Sequence, residues 1–316
     1  MPERFALVTV ERNGQPVAGM MVRDTLIPIE EGYSWFQRRT GARKLLDGPV
    51  SVLGLLEHYP ESFDRLGKMA DSVGGMKGDF ESRGLTLDPS SVHLMAPLPN
   101  PPKMLFAGAN YTDHIAEMKA PPVDKLKAKP YFFPKTNNCI IGPYDKVKLP
   151  PVSRQVDWEV ELAVVIGRRC KDVPAGKARD VIAGYTIMND ISTRDILRRT
   201  DVPFGFDWVA GKCLDGFAPM GPSIVPSRFI PNPHNLWLKL SVNGMVMQDS
   251  NTSRMIFTVE EQIEFLTQLM TLEPGDIIST GTPAGVGAGR GIFLNPGDEM
   301  VVAIEELGEQ RTSVVR

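Results

Sequence analysis

Val156-Asp157-Trp158-Glu159-Val160-Glu161-Leu162-Ala163-Val164-Val165-Ile166-Gly167 alternates with period two. In a strand, Asp157, Glu159 and Glu161 point to one face, and Trp158, Val160, Leu162 and Val164 to the other. Carboxylates two apart on a strand have Cα atoms about 6.5–7 Å apart and repel unless something positive lies between them. A divalent cation would remove that repulsion. An all-oxygen donor set suits Mg²⁺, Mn²⁺ or Ca²⁺ rather than zinc, which usually takes nitrogen and sulfur. The plain alternative is a half-buried strand whose polar face is wet.

The 316 residues are 42% hydrophobic and 23% charged, which suits one large globular domain or two modest ones. A formal net charge of −3 without a clustered Lys/Arg face leaves no footprint for nucleic acid or an anionic membrane, so the expected partner is a small molecule. There is no basic and then apolar leader, and no apolar run approaches the ~20 residues that span a bilayer. The expected location is the cytoplasm. Cys139, Cys170 and Cys213 are widely spaced, indicate neither a disulfide framework nor a CxxC metal site, and read as reduced thiols.

Upstream, Phe5 to Val10, the turn pair Asn13-Gly14 and Pro16 to Val22 spell a β-hairpin. Val52 to Leu56 and Phe63 to Met69 have helical spacing, and the glycine-rich Ser72 to Gly78 reads as a loop. His58, His93 and His234 have no partner at ligand spacing and read as structural. Pro97, Pro99, Pro101 and Pro102 stop any helix or central strand, which divides the chain into an N-terminal α/β domain, 1–97, and a larger domain, 98–316.

The residues that carry chemistry follow that boundary. Lys103 to Ala109 reads as a buried strand, and Thr112 or Asp113 caps a short helix on which His114 and Glu117 share a face. An imidazole beside a carboxylate is a base held in one tautomer, while the ordinary alternative is a surface pair. Val181 to Met188 is an apolar strand ending in Asn189-Asp190. Asp190 is placed either to join Glu159 and Glu161 as a third metal ligand or to cap a short helix over Ser192 to Arg199. Lys212, among apolar and small residues, is either a cation for a developing negative charge or an exposed lysine. Leu236 to Val242 is a strand with Asn243-Gly244 as its turn, and Thr258 with Glu261 makes a capping box for a helix reaching Met270. A strand ending in Thr280-Gly281-Thr282 and the glycines beyond it offer N–H and hydroxyl groups to an anion. Arg290, in the place of a third glycine, excludes a dinucleotide fingerprint.

Together these segments resemble the fumarylacetoacetate hydrolase (FAH) family from about Pro101 to Gly308. The resemblance rests on Gly108-Ala109-Asn110-Tyr111 with His114 and Glu117, Glu159-Val160-Glu161-Leu162, Gly184-Tyr185 with Asn189-Asp190, Arg194-Asp195, Gly211-Lys212 with Asp215, and Thr280-Gly281-Thr282-Pro283. It implies an α+β, β-rich architecture: a mixed β-roll of the FAH type with a smaller N-terminal domain, usually in a homodimer. It makes Glu159, Glu161 and Asp190 ligands of Mg²⁺ or Mn²⁺, with Ca²⁺ also admissible, and puts Asp157 behind them. His114 and Glu117 match the family's water-activating pair on a mobile lid helix, Lys212 its charge-stabilising lysine, and Gly281 with Thr282 its site for the substrate carboxylate. Two departures bear on the substrate: Cys213 stands where many members have serine, and Ile196-Leu197 where many have leucine and glutamine.

The activity so implied is metal-dependent hydrolysis of a C–C bond in a 1,3-dioxo acid of the acylpyruvate or fumarylpyruvate type, releasing pyruvate or a related keto acid. One alternative is a tautomerase, isomerase or decarboxylase working through the same enolate on a 2-keto or 2-hydroxymuconate-type acid. Another, of a different class, is a metal-binding dimer without turnover. The expected partner is a small keto acid, with neither nucleic acid nor membrane.

Overall fold

The computed structural model describes residues 2–316. The acidic stretch forms strand in two pieces: Val156–Asp157 pairs with Ser192–Thr193, and Val160–Ile166 lies inside a six-stranded sheet. Trp158 and Glu159 make the break. There Asp157 Oδ1 accepts from Trp158 N, and Asn189 Oδ1 accepts from Glu159 N. The sheet runs Val225–Pro226, Ile182–Asn189, Val160–Ile166, Ile277–Ser279, Met104–Gly108, Tyr131–Lys135. Only the pair Ile277–Ser279 and Met104–Gly108 is parallel.

Every residue of Val160–Ile166 and Ile182–Asn189 is buried, so the wet-face alternative fails. Ala163 and Val165 pack into one apolar core, and Val160, Leu162, Val164 and Ile166 into a second. The second core is closed by a five-stranded sheet, Met245–Asn251, Trp237–Val242, Glu299–Ile304, Gly308–Val315 and Lys146–Lys148, and by the helix Val259–Leu269. That helix begins with the expected Thr258–Glu261 capping box.

The first core reaches across the proline-rich segment. The hairpin of Ala6–Arg12 and Gln15–Val22 turns at Asn13 and Gly14, whose φ angles of 54° and 73° are what its tight turn requires. It joins Thr25–Pro28 and His93–Met95 in a four-stranded sheet, and Leu7 exchanges backbone hydrogen bonds with Ile224. Phe5, Leu7, Phe63 and Leu66 thus share one cluster with Phe106, Ala163 and Val165. Ser72 to Gly78 is not the expected loop but lies within the helix Glu61–Ser82. Its glycines lower helix propensity, yet Phe63, Leu66, Met69, Ala70, Val73 and Phe80 are buried at helical spacing and hold the helix down. The helix expected over Ser192 to Arg199 shrinks to Arg194–Leu197 because Ser192–Thr193 is taken up in strand pairing. The outcome is a β-rich α+β fold.

His93, read as structural, has two partners. Nδ1 lies 2.9 Å from Glu11 Oε2 and Nε2 2.7 Å from Asp145 Oδ1, so one ring ties the N-terminal sheet to the turn before Lys146–Lys148. Glu11 first and then Asp145 raise its pKa, against a smaller opposing effect of burial. A raised folded-state pKa contributes stability below the unfolded value of about 6.5 and loses it as pH climbs through the folded value. The melting temperature of His93→Gln should therefore lie furthest below the parent's at about pH 6 and converge on it by about pH 9. Thermal scans across that range check this, and a gap that does not change with pH would refute it.

Candidate metal centre

Strand ends build the site. In the antiparallel register Val160 lies opposite Asn189 and Glu161 opposite Met188, so the start of one strand meets the end of its neighbour. Asp190 N consequently donates to Glu159 O at 2.9 Å. On the other side Ala163 pairs with Ser279, which brings Ser279-Thr280-Gly281 to Glu161. Carboxylate oxygens of Glu159, Glu161 and Asp190 lie within 4.8 Å of one another. The three residues are 5%, 1% and 0% exposed.

Cations meet two of these acids. Lys212 Nζ bridges Asp190 Oδ2 (2.6 Å) and Glu159 Oε2 (3.0 Å), Lys135 Nζ meets Asp190 Oδ1 (2.6 Å), and Arg194 donates to Glu159 Oε1 (2.5 Å). Glu161 instead takes neutral donors, Ser279 Oγ (2.6 Å) and Gly281 N (3.0 Å). Burial opposes ionisation of Glu159, but Lys212 and Arg194 outweigh it and hold that carboxyl down to about 2. At Glu161 burial leads, Asp190 and Glu159 push the same way, and the pKa rises well above the usual range. Loss of water lowers the pKa of Lys212, yet Asp190 and Glu159 carry it above the ordinary value, so the ammonium stays charged.

Asp157 stands behind the three. Its Oδ1 accepts from Gly287 N (2.6 Å), and its Oδ2 from Ala288 N (2.9 Å) and Arg194 Nε (2.8 Å), which aims Arg194 at Glu159. Counting it, four acids (Asp157, Glu159, Glu161, Asp190) face three bases (Lys135, Lys212, Arg194). An oxygen-only donor set that lacks positive charge at Glu161 fits a hard divalent ion. Such an ion would contend with Lys212 for the oxygens of Glu159 and Asp190.

His114 and Glu117 meet on the helix Thr112–Glu117, Nδ1 to Oε2 at 3.4 Å. Neither Thr112 nor Asp113 caps it. Tyr111 holds the N-cap position without a side-chain bond, and Asp113 accepts from Ser250 Oγ (2.8 Å). Burial raises the pKa of Glu117, but His114 and the Gly285 N–H, 3.0 and 3.1 Å from its two oxygens, bring it below the ordinary value. His114 is 7% exposed and close enough to help lower Glu159, so this is not a surface pair.

Gly281 and Thr282 are turned towards the protein. Gly281 N is engaged by Glu161, and Thr282 Oγ1 donates to Val160 O (3.0 Å) and accepts from Gln248 Nε2 (2.8 Å). Gly281 sits at φ +98°, and a Cβ there would stand 2.9 Å from Asn110 Cβ. Lys135, Ser279 and Gln248 were not singled out from the sequence. Lys135 did carry a signal: it closes Tyr131-Phe132-Phe133-Pro134-Lys135 on the face of the buried Phe133.

Comparisons with known proteins point to one family. The family described as fumarylacetoacetate (FAA) hydrolase, C-terminal, matches residues 103–315. The mitochondrial oxaloacetate tautomerase FAHD2A of Bos taurus is 46% identical over 221 residues, 69% of this chain and 68% of that protein. The crystal structure of 2-hydroxyhepta-2,4-diene-1,7-dioate isomerase from Mycobacterium marinum has a TM-score of 0.62 and 40% identity, covering 74% of this chain and 81% of its own. That of maleylpyruvate hydrolase from Sphingobium sp. SYK-6, in complex with manganese(II) and pyruvate, has a TM-score of 0.69 and 28% identity over 98% of both chains.

Lys135→Met leaves Asp190 Oδ1 without its buried cation and is expected to cost about 3–5 kcal/mol of stability. Denaturant unfolding measures it, and a cost below about 1 kcal/mol would mean the pair does not hold this site together. Mg²⁺ or Mn²⁺ should raise the parent's melting temperature by mass action, and the near-isosteric Glu161→Gln should remove most of that rise. Equal rises in both proteins would place the ion elsewhere.

Proposed function

The chain belongs to the fumarylacetoacetate hydrolase family, and on that footing we propose that it is a metal-dependent enzyme converting 2-oxo acids by way of their enolates. The observation that carries this is the buried Glu159–Glu161–Asp190 group, with Lys212 between two of its members and the His114–Glu117 pair in electrostatic range. Keto–enol tautomerisation or isomerisation is the first reading, supported by the tautomerase and isomerase among the relatives. Hydrolytic C–C cleavage of an acylpyruvate is the second, supported by the maleylpyruvate hydrolase that aligns over nearly the whole chain. This reverses the order implied by the family resemblance of the sequence.

Glu159, Glu161 and Asp190 would hold Mg²⁺ or Mn²⁺, which would chelate the 2-oxo acid and draw negative charge onto its carbonyl oxygen. The chain's own groups do the rest. With Nδ1 turned to Glu117, His114 has Nε2 to take a proton from the carbon beside the carbonyl and to return it at the other end of the enolate system. Glu117, anchored on the Gly285 N–H, fixes the ring. The Lys212 ammonium meets the charge that develops on oxygen. Under the hydrolytic reading the same Nε2 takes its proton from a water that adds to the distal carbonyl, and pyruvate leaves. The assembly that accompanies this reading is a homodimer.

The test pairs two substrates. With Mg²⁺, the protein should accelerate loss of the enol absorbance of oxaloacetate, chelator should abolish the effect, and His114→Ala should lower it by about 10²-fold or more. Pyruvate appearing from a small acylpyruvate would promote the hydrolytic reading, whereas no change with either acid would leave a metal-binding protein without turnover.

A further inference from the structure

We propose that Cys213 and Cys139 form an oxidisable thiol pair, which a peroxide converts to a disulfide directly behind Lys212. Cys213 follows Lys212 at the end of the helix Trp208–Lys212, and Cys139 closes the turn Asn137–Cys139 beyond the strand Tyr131–Lys135. Local bonds draw these distant segments together. Cys139 Sγ lies 3.7 Å from Lys212 O, Asn138 Nδ2 donates to Cys213 O (3.1 Å), and Gly216 N donates to Asn138 O (3.1 Å). Thr136 Oγ1 stands 3.8 Å from Cys139 Sγ, and the two thiols lie close enough that each is the leading influence on the other's pKa. Cys213 Sγ also lies 3.6 Å from Pro134 O.

Exposure sorts the roles. Cys139 is fully buried, while Cys213 is partly open. Cys139 is the main influence lowering the Cys213 thiol to about 6, against burial and with help from Thr136, while Cys213 and burial push Cys139 up. The more open thiol is therefore the more acidic of the two, and the buried one stands behind it to resolve it. Cys170 is no competitor: it packs against the second core, and burial first, then Asp276 and Glu273, pushes it up to about 11.

In the first step the Cys213 thiolate attacks one peroxide oxygen: an S–O bond forms, the O–O bond breaks, and the other oxygen leaves as hydroxide, protonated to water. In the second, Cys139 loses its proton and attacks the sulfenic sulfur: S–S forms, S–O breaks, and another water leaves. Two thiols and one peroxide give one disulfide and two waters, the sulfurs supplying both electrons. Closing the sulfurs to about 2.05 Å pulls on the backbone that carries Lys212, whose Nζ lies between Glu159 and Asp190.

The experiment treats the full chain with hydrogen peroxide and reads intact mass, thiol count under denaturing conditions and the peptide map. The expected result is a loss of about 2 Da, a Cys139–Cys213 linked peptide, and reversal by dithiothreitol. The thiol count should fall from the three present, leaving Cys170 alone. Cys139→Ser should instead gain about 16 and then about 32 Da at position 213, and Cys213→Ser should do neither. Retention of all three thiols, or a sulfinic acid at Cys213 in the parent without a linked peptide, would overturn the proposal. Because mass is the readout, failure here and failure of the enolate reading are separate results.

Discussion

Holding three carboxylates side by side in the interior is the constraint on which the rest of this structure depends. Glu159, Glu161 and Asp190 repel one another where water cannot screen them, so the chain must bring positive charge from elsewhere. It does so from three separate excursions: Lys135 at the end of an edge strand, Arg194 at the start of the short helix Arg194–Leu197, and Lys212 at the end of another short helix. Each segment that carries a cation is thereby pinned to the same strand ends. The arrangement stops one charge short, and the acid left without a cation, Glu161, sits between the other two and the Gly281 backbone.

The glycines downstream serve the same constraint. Gly281 and Gly287 present N–H groups to Glu161 and Asp157, and Gly285 presents its own to Glu117. Close approach, rather than flexibility, is what requires glycine here. A Cβ at Gly285, at φ +105°, would lie 2.0 Å from Met247 O, and one at Gly287 would lie 2.1 Å from Ile292 O. The anion that the glycine-rich stretch was expected to receive is, in this structure, supplied by the protein's own carboxylates.

The legible parts of the sequence are those whose signal is local. Asn13-Gly14, the Thr258–Glu261 capping box and the acidic alternation each carry their cause within a few residues. The break at Trp158-Glu159 escapes because a kink of two residues preserves the parity of the side chains, so Asp157 keeps its apparent place beside Glu159 while belonging to another sheet. Lys135 and Ser279 escape for a different reason: they reach Asp190 and Glu161 across 55 and 118 residues, and nothing beside them in sequence announces it. The helix through Gly74, Gly75 and Gly78 shows tertiary burial overriding propensity, since its apolar stripe, not its composition, meets the core.

Tautomerisation and hydrolysis ask for the same charges and part at one point, the identity of what His114 Nε2 meets: a proton on carbon, or a water. The imidazole is fixed from two directions. Glu117 faces Nδ1 while its oxygens are held by Gly285 N, and the one-and-a-half turns of helix that carry both residues are tied through Asp113 to Ser250. His114 keeps only 7% of its surface open, so substrate carbon and water alike meet a base that is already fixed. The latch formed by Glu117 and Asp113 thus presets one base for both reactions, and the choice between them falls to what the site holds beside Nε2.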